Sequence, residues 1–307
     1  VGKPPELGTD VFAMDTGNGS GTIPAFDSNF PVDYVIVRKP GSVDDWDTMT
    51  RLMSGSSTSY LRTNTNGAET TGASNFTFDS NAGWAINNNS SLQSWMWKRH
   101  AGFDVVAYKG NQTAGHQIRH SLNKIPQMIW VKARNTGGST EHWGVYHEGI
   151  SGTGKSIFLN LSNAATGSMF NGTTPTSTYF ELSNDWRTNG PYNYIAMLFA
   201  SVNGISKVGS YDGTDSSSLT ITTGFQPRFI IVKRTDANAQ WFTFDTTRGW
   251  TSNLLASSDD KALMLNADDA QWNNAFGHPI TTGFTLNGAG YGNGGGLGSK
   301  YIYYAHA

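Results

Sequence analysis

Pro31-Val-Asp-Tyr-Val-Ile-Val-Arg38, Pro126-Gln-Met-Ile-Trp-Val-Lys132 and Pro227-Arg-Phe-Ile-Ile-Val-Lys233 are three writings of one segment. A proline opens each, a β-branched and aromatic run comes next, and a basic residue closes it. Proline has no N–H to give a ladder, so it suits the first position of a strand. The run suits a pleated surface. A tryptophan follows each copy: Trp46, Trp143 and Trp241. The prolines fall 95 and 101 residues apart and the tryptophans 97 and 98. This spacing predicts the same strand in three copies of one unit, with each tryptophan packed inside its own copy.

Other anchors recur in the same order. Val11-Phe-Ala-Met-Asp-Thr-Gly17, Val105-Val-Ala-Tyr-Lys-Gly110 and Val208-Gly-Ser-Tyr-Asp-Gly213 each run into a turn. Downstream come Ser59-Tyr-Leu-Arg62, Ser156-Ile-Phe-Leu-Asn160 and Ala262-Leu-Met-Leu-Asn266. Next are short strands around Phe76, Phe180 and Phe284, spaced 104 residues apart twice. Gly/Asn-rich loops holding Trp84, Trp186 and Tyr291 lead to the aromatic closing strands Ser94-Trp-Met-Trp97, Tyr194-Ile-Ala-Met-Leu-Phe199 and Tyr301-Ile-Tyr-Tyr304. Frequent turns without helical periodicity indicate an all-β chain. We expect three tandem antiparallel β-sandwich (jelly-roll-like) modules, 1–104, 105–207 and 208–307. The joins from Trp97 to Val105 and Phe199 to Val208 are too short for flexible linkers, so rigid packing is expected, with a pseudo-threefold arrangement as the hypothesis.

Composition narrows the function. Charged residues are 14% of the chain and the net charge is −2, against about a quarter charged in typical domains. That balance gives no electrostatic reason to bind nucleic acid or an acidic membrane. The apolar run from Tyr194 to Val202 falls far short of the roughly 20 residues of a membrane helix, and no signal-peptide pattern opens the chain. Glycine makes up 36 of 307 residues. Cysteine is absent, so disulfides and thiolate metal sites are excluded; the composition fits a bacterial or phage product.

The anchors also carry a resemblance. Val105-Val-Ala-Tyr-Lys-Gly-Asn111, then Ile125-Pro-Gln-Met-Ile-Trp-Val-Lys132 and His142-Trp-Gly-Val-Tyr-His147, resemble a module of tailed-bacteriophage virion proteins. So do Phe199 to Gly213, Gly224 to Arg234 and the end Lys300-Tyr-Ile-Tyr-Tyr-Ala-His306. The first unit departs most, with Phe26-Asp-Ser-Asn-Phe-Pro31 before its strand. The resemblance implies a structural or tail-fibre-like particle component and supplies no catalytic residues.

Several motifs invite chemistry. Gly149-Ile-Ser-Gly-Thr-Gly-Lys-Ser156 satisfies the Gly-x4-Gly-Lys-Ser pattern. A phosphate cradle needs a helix after it, and Ile157-Phe-Leu-Asn-Leu161 reads as a strand. His116, His120, His142 and His147 occur only in the second unit and read as surface or interface residues. Carboxylates for a glycosidase would come from Asp44, Asp45, Glu141, Glu148, Asp245, Asp259 and Asp260, and a pair must face across about 5–9.5 Å. Asp15 to Gly21 and Asn287 to Gly296 are glycine turns. The loop aromatics Trp84, Trp186 and Tyr291 are the candidate glycan-binding residues; their structural alternative is to cover the open end of each sandwich.

The resulting expectation is a non-enzymatic virion structural protein without catalytic residues, metal or cofactor. Its partners would be other virion proteins and further copies of itself. A receptor- or glycan-binding tail-fibre module that contacts a host cell-surface glycan is the second reading, and a polysaccharide depolymerase the third. Neither nucleic acid nor membrane is expected as a partner.

Overall fold

In each repeated strand every side chain from the first aromatic or methionine to the last valine is apolar, so both faces must be covered. The computed structural model shows what covers them. It describes residues 7–53, 59–72, 75–137, 139–150, 152, 156–216, 218–251, 260–273, 275–287 and 292–307. The fold is all-β, with antiparallel sheets and, among the described residues, one four-residue α-helix.

Three large sheets repeat one strand order: opening, closing, proline-led, tryptophan, fourth. The first consists of Phe12–Thr16, Gln93–Trp97, Tyr34–Arg38, Asp47–Thr50 and Ser59–Arg62, with Thr70–Thr71 at its edge. The second consists of Phe103–Lys109, Asn193–Phe199, Met128–Ala133, Gly144–His147 and Ile157–Phe158. The third consists of Ser206–Asp212, Lys300–His306, Phe229–Arg234, Trp241–Asp245 and Lys261–Met264, with Trp272–Asn273 at its edge. Three small sheets lie against them. These are Phe26–Asp27 with Gly83–Ile86 and Phe76–Thr77; His116–Arg119 with Tyr179–Leu182; and Ser218–Thr222 with Gly283–Asn287 and Pro279–Ile280.

Alternation along the proline-led strands sorts the core into four clusters. Val35 and Val37 face Phe26, Phe76 and Trp84 of the first small sheet. Ile129, Val131 and Ala133 face Ile118 and Phe180. Ile230 and Val232 face Ile221 and Phe284. The alternate residues Tyr34 and Ile36, Met128 and Trp130, and Phe229 and Ile231 all enter one further cluster shared by the three large sheets. Antiparallel sheets commonly leave one face in water; here each large sheet has its own core on one face and the common core on the other.

The tryptophans stand in this common core, not within their own copies as the spacing suggested. A buried indole N–H needs an acceptor, and each finds one on a neighbouring sheet. Trp46 Nε1 donates to the carbonyls of Met264 and Ala267, at 2.8 and 3.0 Å. Trp143 Nε1 donates to Arg62 O at 2.8 Å, and Trp241 Nε1 to Phe158 O at 2.8 Å. The first sheet thus reaches the third, the second the first, and the third the second, and the cycle closes. Within each copy an asparagine carboxamide fixes the tryptophan backbone: Asn64, Asn160 and Asn266 Oδ1 accept from the N–H of Trp46, Trp143 and Trp241.

The basic residues that end the proline-led strands obey the same cycle. Arg38 donates to Asp268 O and Asp269 O at 3.0 and 2.9 Å. Lys132 Nζ donates to Asn66 O at 3.2 Å, and Lys233 Nζ to Ser162 O at 3.1 Å. Each also ties down the loop after its own strand, through Ser42 O, Glu141 O and Ala239 O. All three are buried, and burial pushes the Lys132 ammonium down to about 8 and the Lys233 ammonium to about 7.

Removing one tryptophan therefore weakens a seam between sheets. Trp143→Ala is expected to lower the unfolding free energy by about 3–5 kcal/mol. Trp143→Phe, which keeps much of the ring but strips the Arg62 carbonyl of its donor, should cost about 1–3 kcal/mol. Denaturant unfolding monitored by tryptophan fluorescence checks both, and a loss below about 0.5 kcal/mol for Trp143→Ala would contradict the shared-core assignment.

Candidate functional site

The loops that precede the closing strands carry the predicted binding aromatics, and a repeated buried asparagine ties each loop down. Asn89, Asn189 and Asn293 accept from the N–H of Gly19, Asn111 and Thr214 at 2.8, 3.0 and 2.8 Å. Their amides donate to the carbonyls of Ser20, Thr113 and Ser216. The opening turn and the last loop of each copy are thus one hydrogen-bonded unit.

On this frame the three candidates have different fates. Trp84 lies in the strand Gly83–Ile86 and is fully buried. Its Nε1 donates to Ser94 Oγ at 2.9 Å, and its ring stacks on Phe26 at 5.1 Å. It fills the first small core and cannot meet a sugar; the apolar run Gly83-Trp-Ala-Ile86 was the signal that it sits in a strand. Trp186 is 50% exposed. It begins the helical turn Trp186–Asn189, whose N–H at Arg187 is capped by Asp185, and meets Tyr192 edge-on at 5.8 Å. Tyr291 lies outside the described residues. Trp250 is buried and donates to Gly277 O at 3.0 Å, and Trp272 packs edge-on to Phe242 at 6.2 Å.

The histidines of the second unit do not converge. His116 Nδ1 pairs with Asn189 Oδ1, His120 Nε2 with Thr176 O, and His142 Nδ1 with the Asn160 carboxamide. His147 is buried in the seam to the third sheet, its Nε2 toward Tyr303 O at 3.4 Å and its Nδ1 accepting from Gly149 N–H at 3.0 Å. Among the described residues no three His, Asp or Glu side chains are arranged to hold a metal ion. The Gly-Lys-Ser motif lies partly outside the described residues; the strand Ile157–Phe158 comes directly after it, and Ser156 Oγ is buried and accepts from Met169 N–H.

The candidate carboxylates are also dispersed. Asp245 is buried in the seam between the third and first sheets, paired with Arg248 at 2.6 Å and accepting from Trp95 Nε1 at 3.0 Å. Glu148 accepts from Gln127 Nε2 at 2.6 Å, and burial pushes its carboxyl up. Burial likewise raises Glu141. Asp259 lies outside the described residues. Asp45 belongs to a cluster that sequence reading left incomplete: Arg62 binds Asp45 at 2.7 Å and Asp47 at 3.0 Å, and Asn64 Nδ2 donates to Asp45. Burial pushes the Asp47 carboxyl up to about 6 against the pull of Arg62. Register would have singled Asp47 out: opposite Val37, Val131 and Val232 stand Asp47, Gly144 and Phe242.

Burial holds two seam histidines neutral, pushing His147 to about 4 and His306, whose ring lies 4.6 Å from that of Phe12 on the first sheet, to about 3. An unfolded histidine titrates near 6.5. Between pH 6.5 and these values the unfolded chain takes up protons that the folded chain refuses, so stability present above pH 6.5 is lost as pH falls toward 4. Each histidine contributes up to about 1.4 kcal/mol per pH unit. Denaturant midpoints measured from pH 7 to 4.5 should fall, and His147→Gln should make that slope shallower; an unchanged slope would contradict a neutral, buried His147.

Residues 83–307 match the family DUF7483, described as a domain of unknown function. No curated protein and no solved structure matches the chain. The match starts at the strand that holds Trp84 and spans the closing strand of the first sheet and all of the second and third sheets. It covers well over half of the chain, which therefore belongs to the DUF7483 family.

Proposed function

We propose that this chain is a non-enzymatic structural protein of a bacteriophage virion, carried on the tail or capsid surface and acting through contacts with other virion proteins and with further copies of itself. In this reading the repeated sheets are three tandem β-sandwich, jelly-roll-like modules, 1–104, 105–207 and 208–307, packed about a pseudo-threefold axis. The closed cycle of tryptophan and basic-residue hydrogen bonds supports it above all, because it makes three copies one rigid body suited to display and contact. The joins Lys98–Gly102 and Ala200–Ile205 between consecutive sheets add to it, being short and tied by backbone bonds such as Ala200 N–H to Gly102 O. The resemblance of the Pro126 and Pro227 segments to phage virion modules supplies the setting, and low charge density limits repulsion between neighbouring copies.

Mass spectrometry and antibody-gold labelling of purified particles test this. The protein is expected in stoichiometric amount at a fixed place on the particle. Its absence from purified particles, with presence in the lysate, would overturn the reading.

A second reading is host-glycan contact, favoured by the exposure of Trp186. Trp186→Ala is expected to leave the unfolding free energy within about 0.5 kcal/mol while removing any glycan-array signal that depends on this ring. An array signal unaffected by the substitution would exclude Trp186 as the contact.

A further inference from the structure

The three copies differ most usefully at one interior position. Asp47, Gly144 and Phe242 occupy the same register on the tryptophan strands, and Arg62, Phe158 and Met264 stand opposite them on the fourth strands. In the third copy the position is apolar: Phe242 packs against Trp272 and Phe276. In the second, Gly144 leaves room that Thr188 and Met169 close, its Cβ site lying 2.8 and 3.0 Å from their Cγ2 and Sδ atoms. The Arg187 guanidinium covers Phe158 at 5.2 Å. In the first copy the pair is an aspartate and an arginine, and a cavity of about 250 Å³ opens beside the aspartate, lined by residues of the large and small sheets.

The lining has two characters. Val37, Met49, Phe76 and Ile86 form an apolar floor that is part of the first core. Around it stand Asp47, Lys39, Asp44, the Tyr60 ring and the exposed carboxamides of Asn87 and Asn88. The rim thus mixes both signs of charge with groups that donate and groups that accept. Such a rim suits a neutral molecule with several hydroxyls, since each hydroxyl both donates and accepts. An apolar floor suits the C–H face of a sugar ring. The cavity is smaller than the about 300–1,000 Å³ of drug-sized sites, which fits one ring. A second depression of about 340 Å³ shares Phe76, Ile86 and Asn87 and would take the residue linked to that ring.

We propose that the first copy carries a binding site for a single neutral hexose unit, the end of a glycan chain, between Asp47, Tyr60, Asn87 and Asn88. The proposal shares its ligand class with the glycan reading above but places contact in this cavity and not on Trp186. It is independent of where the protein resides.

Saturation-transfer NMR of the full chain with methyl glycosides of glucose, galactose, mannose and N-acetylglucosamine tests it. At least one is expected to bind with a millimolar dissociation constant. Asp47→Phe, which installs the third copy's residue and fills the cavity, should abolish transfer while the thermal midpoint holds or rises. Asn88→Gly should weaken binding roughly three- to tenfold without a folding defect, because Asn88 has φ +57°, a left-handed conformation that glycine adopts freely. If Asp47→Phe does not fold, Asn88→Gly decides. The proposal is overturned if none of the glycosides shows transfer, if transfer survives Asp47→Phe in folded protein, if Asn88→Gly binds as wild type does, or if Trp186→Ala alone removes the signal. Failure here leaves the virion reading standing, and absence from a particle leaves this site standing.

Discussion

The second apolar face of the large sheets is the constraint on which the molecule depends. A sheet with one covered face can stand alone as half of a sandwich. Tyr34 and Ile36, Met128 and Trp130, and Phe229 and Ile231 deny that option, because each would carry an aromatic or aliphatic stripe into water. Burial at about 25 cal/mol per Å² of apolar surface makes association of the three stripes strongly favourable. The short joins between copies are a consequence, since long linkers would leave those stripes exposed more often. So is the cyclic seam: in that shared core the indoles of Trp46, Trp143 and Trp241 each reach a carbonyl on a neighbouring sheet, and repetition of one sequence repeats the same solution three times.

The buried cations are harder to justify by stability alone. Lys132 and Lys233 donate to backbone carbonyls, and the bonds of Arg38 within the protein are also to carbonyls. Desolvating a charge costs several kcal/mol, and the lowered lysine values express that cost. What such a cation supplies is position. One ammonium or guanidinium gathers the loop of its own copy and the loop of the next, so a rotated or slipped sheet would leave a charge buried with no partner. The seams also differ from one another: Thr50, His147 and Asp245 share one register position. His147 reaches Tyr303 in one seam, and Asp245 holds Arg248 and Trp95 in another. A ring with unlike seams closes in one order only.

Much of the strand content was legible because the signals are local. Proline-led runs, glycine turns and the Phe76, Phe180 and Phe284 spacing each report on a few consecutive residues. The destination of the tryptophans was not legible, since a buried indole looks the same in sequence whether its acceptor is in its own copy or the next. Trp84 and Trp186 show the same limit at the candidate site. Both come after short polar stretches, Asp79-Ser-Asn81 and Ser183-Asn-Asp185, yet one enters a strand and fills a core while the other starts a helical turn and faces water. The difference lies partly in the residues immediately downstream: Ala85-Ile86 continues an apolar strand, whereas Arg187-Thr188-Asn189 extends a turn that Asp185 caps.

Repetition also separates scaffold from function. Residues that recur in all three copies, such as Asn64, Asn160 and Asn266, or Asn89, Asn189 and Asn293, satisfy backbone groups that every copy must satisfy. A requirement of the fold is met three times; a requirement of a ligand need be met once. Asp47 breaks the pattern in the opposite sense to Phe242, placing a charge where its counterpart places a ring. It keeps that charge half-buried beside Arg62 and an open cavity, whereas the interior charges of Arg38, Lys132, Lys233 and Asp245 secure seams. Packing alone gives no reason for the exception, because the third copy shows that an apolar filling is available at the same register.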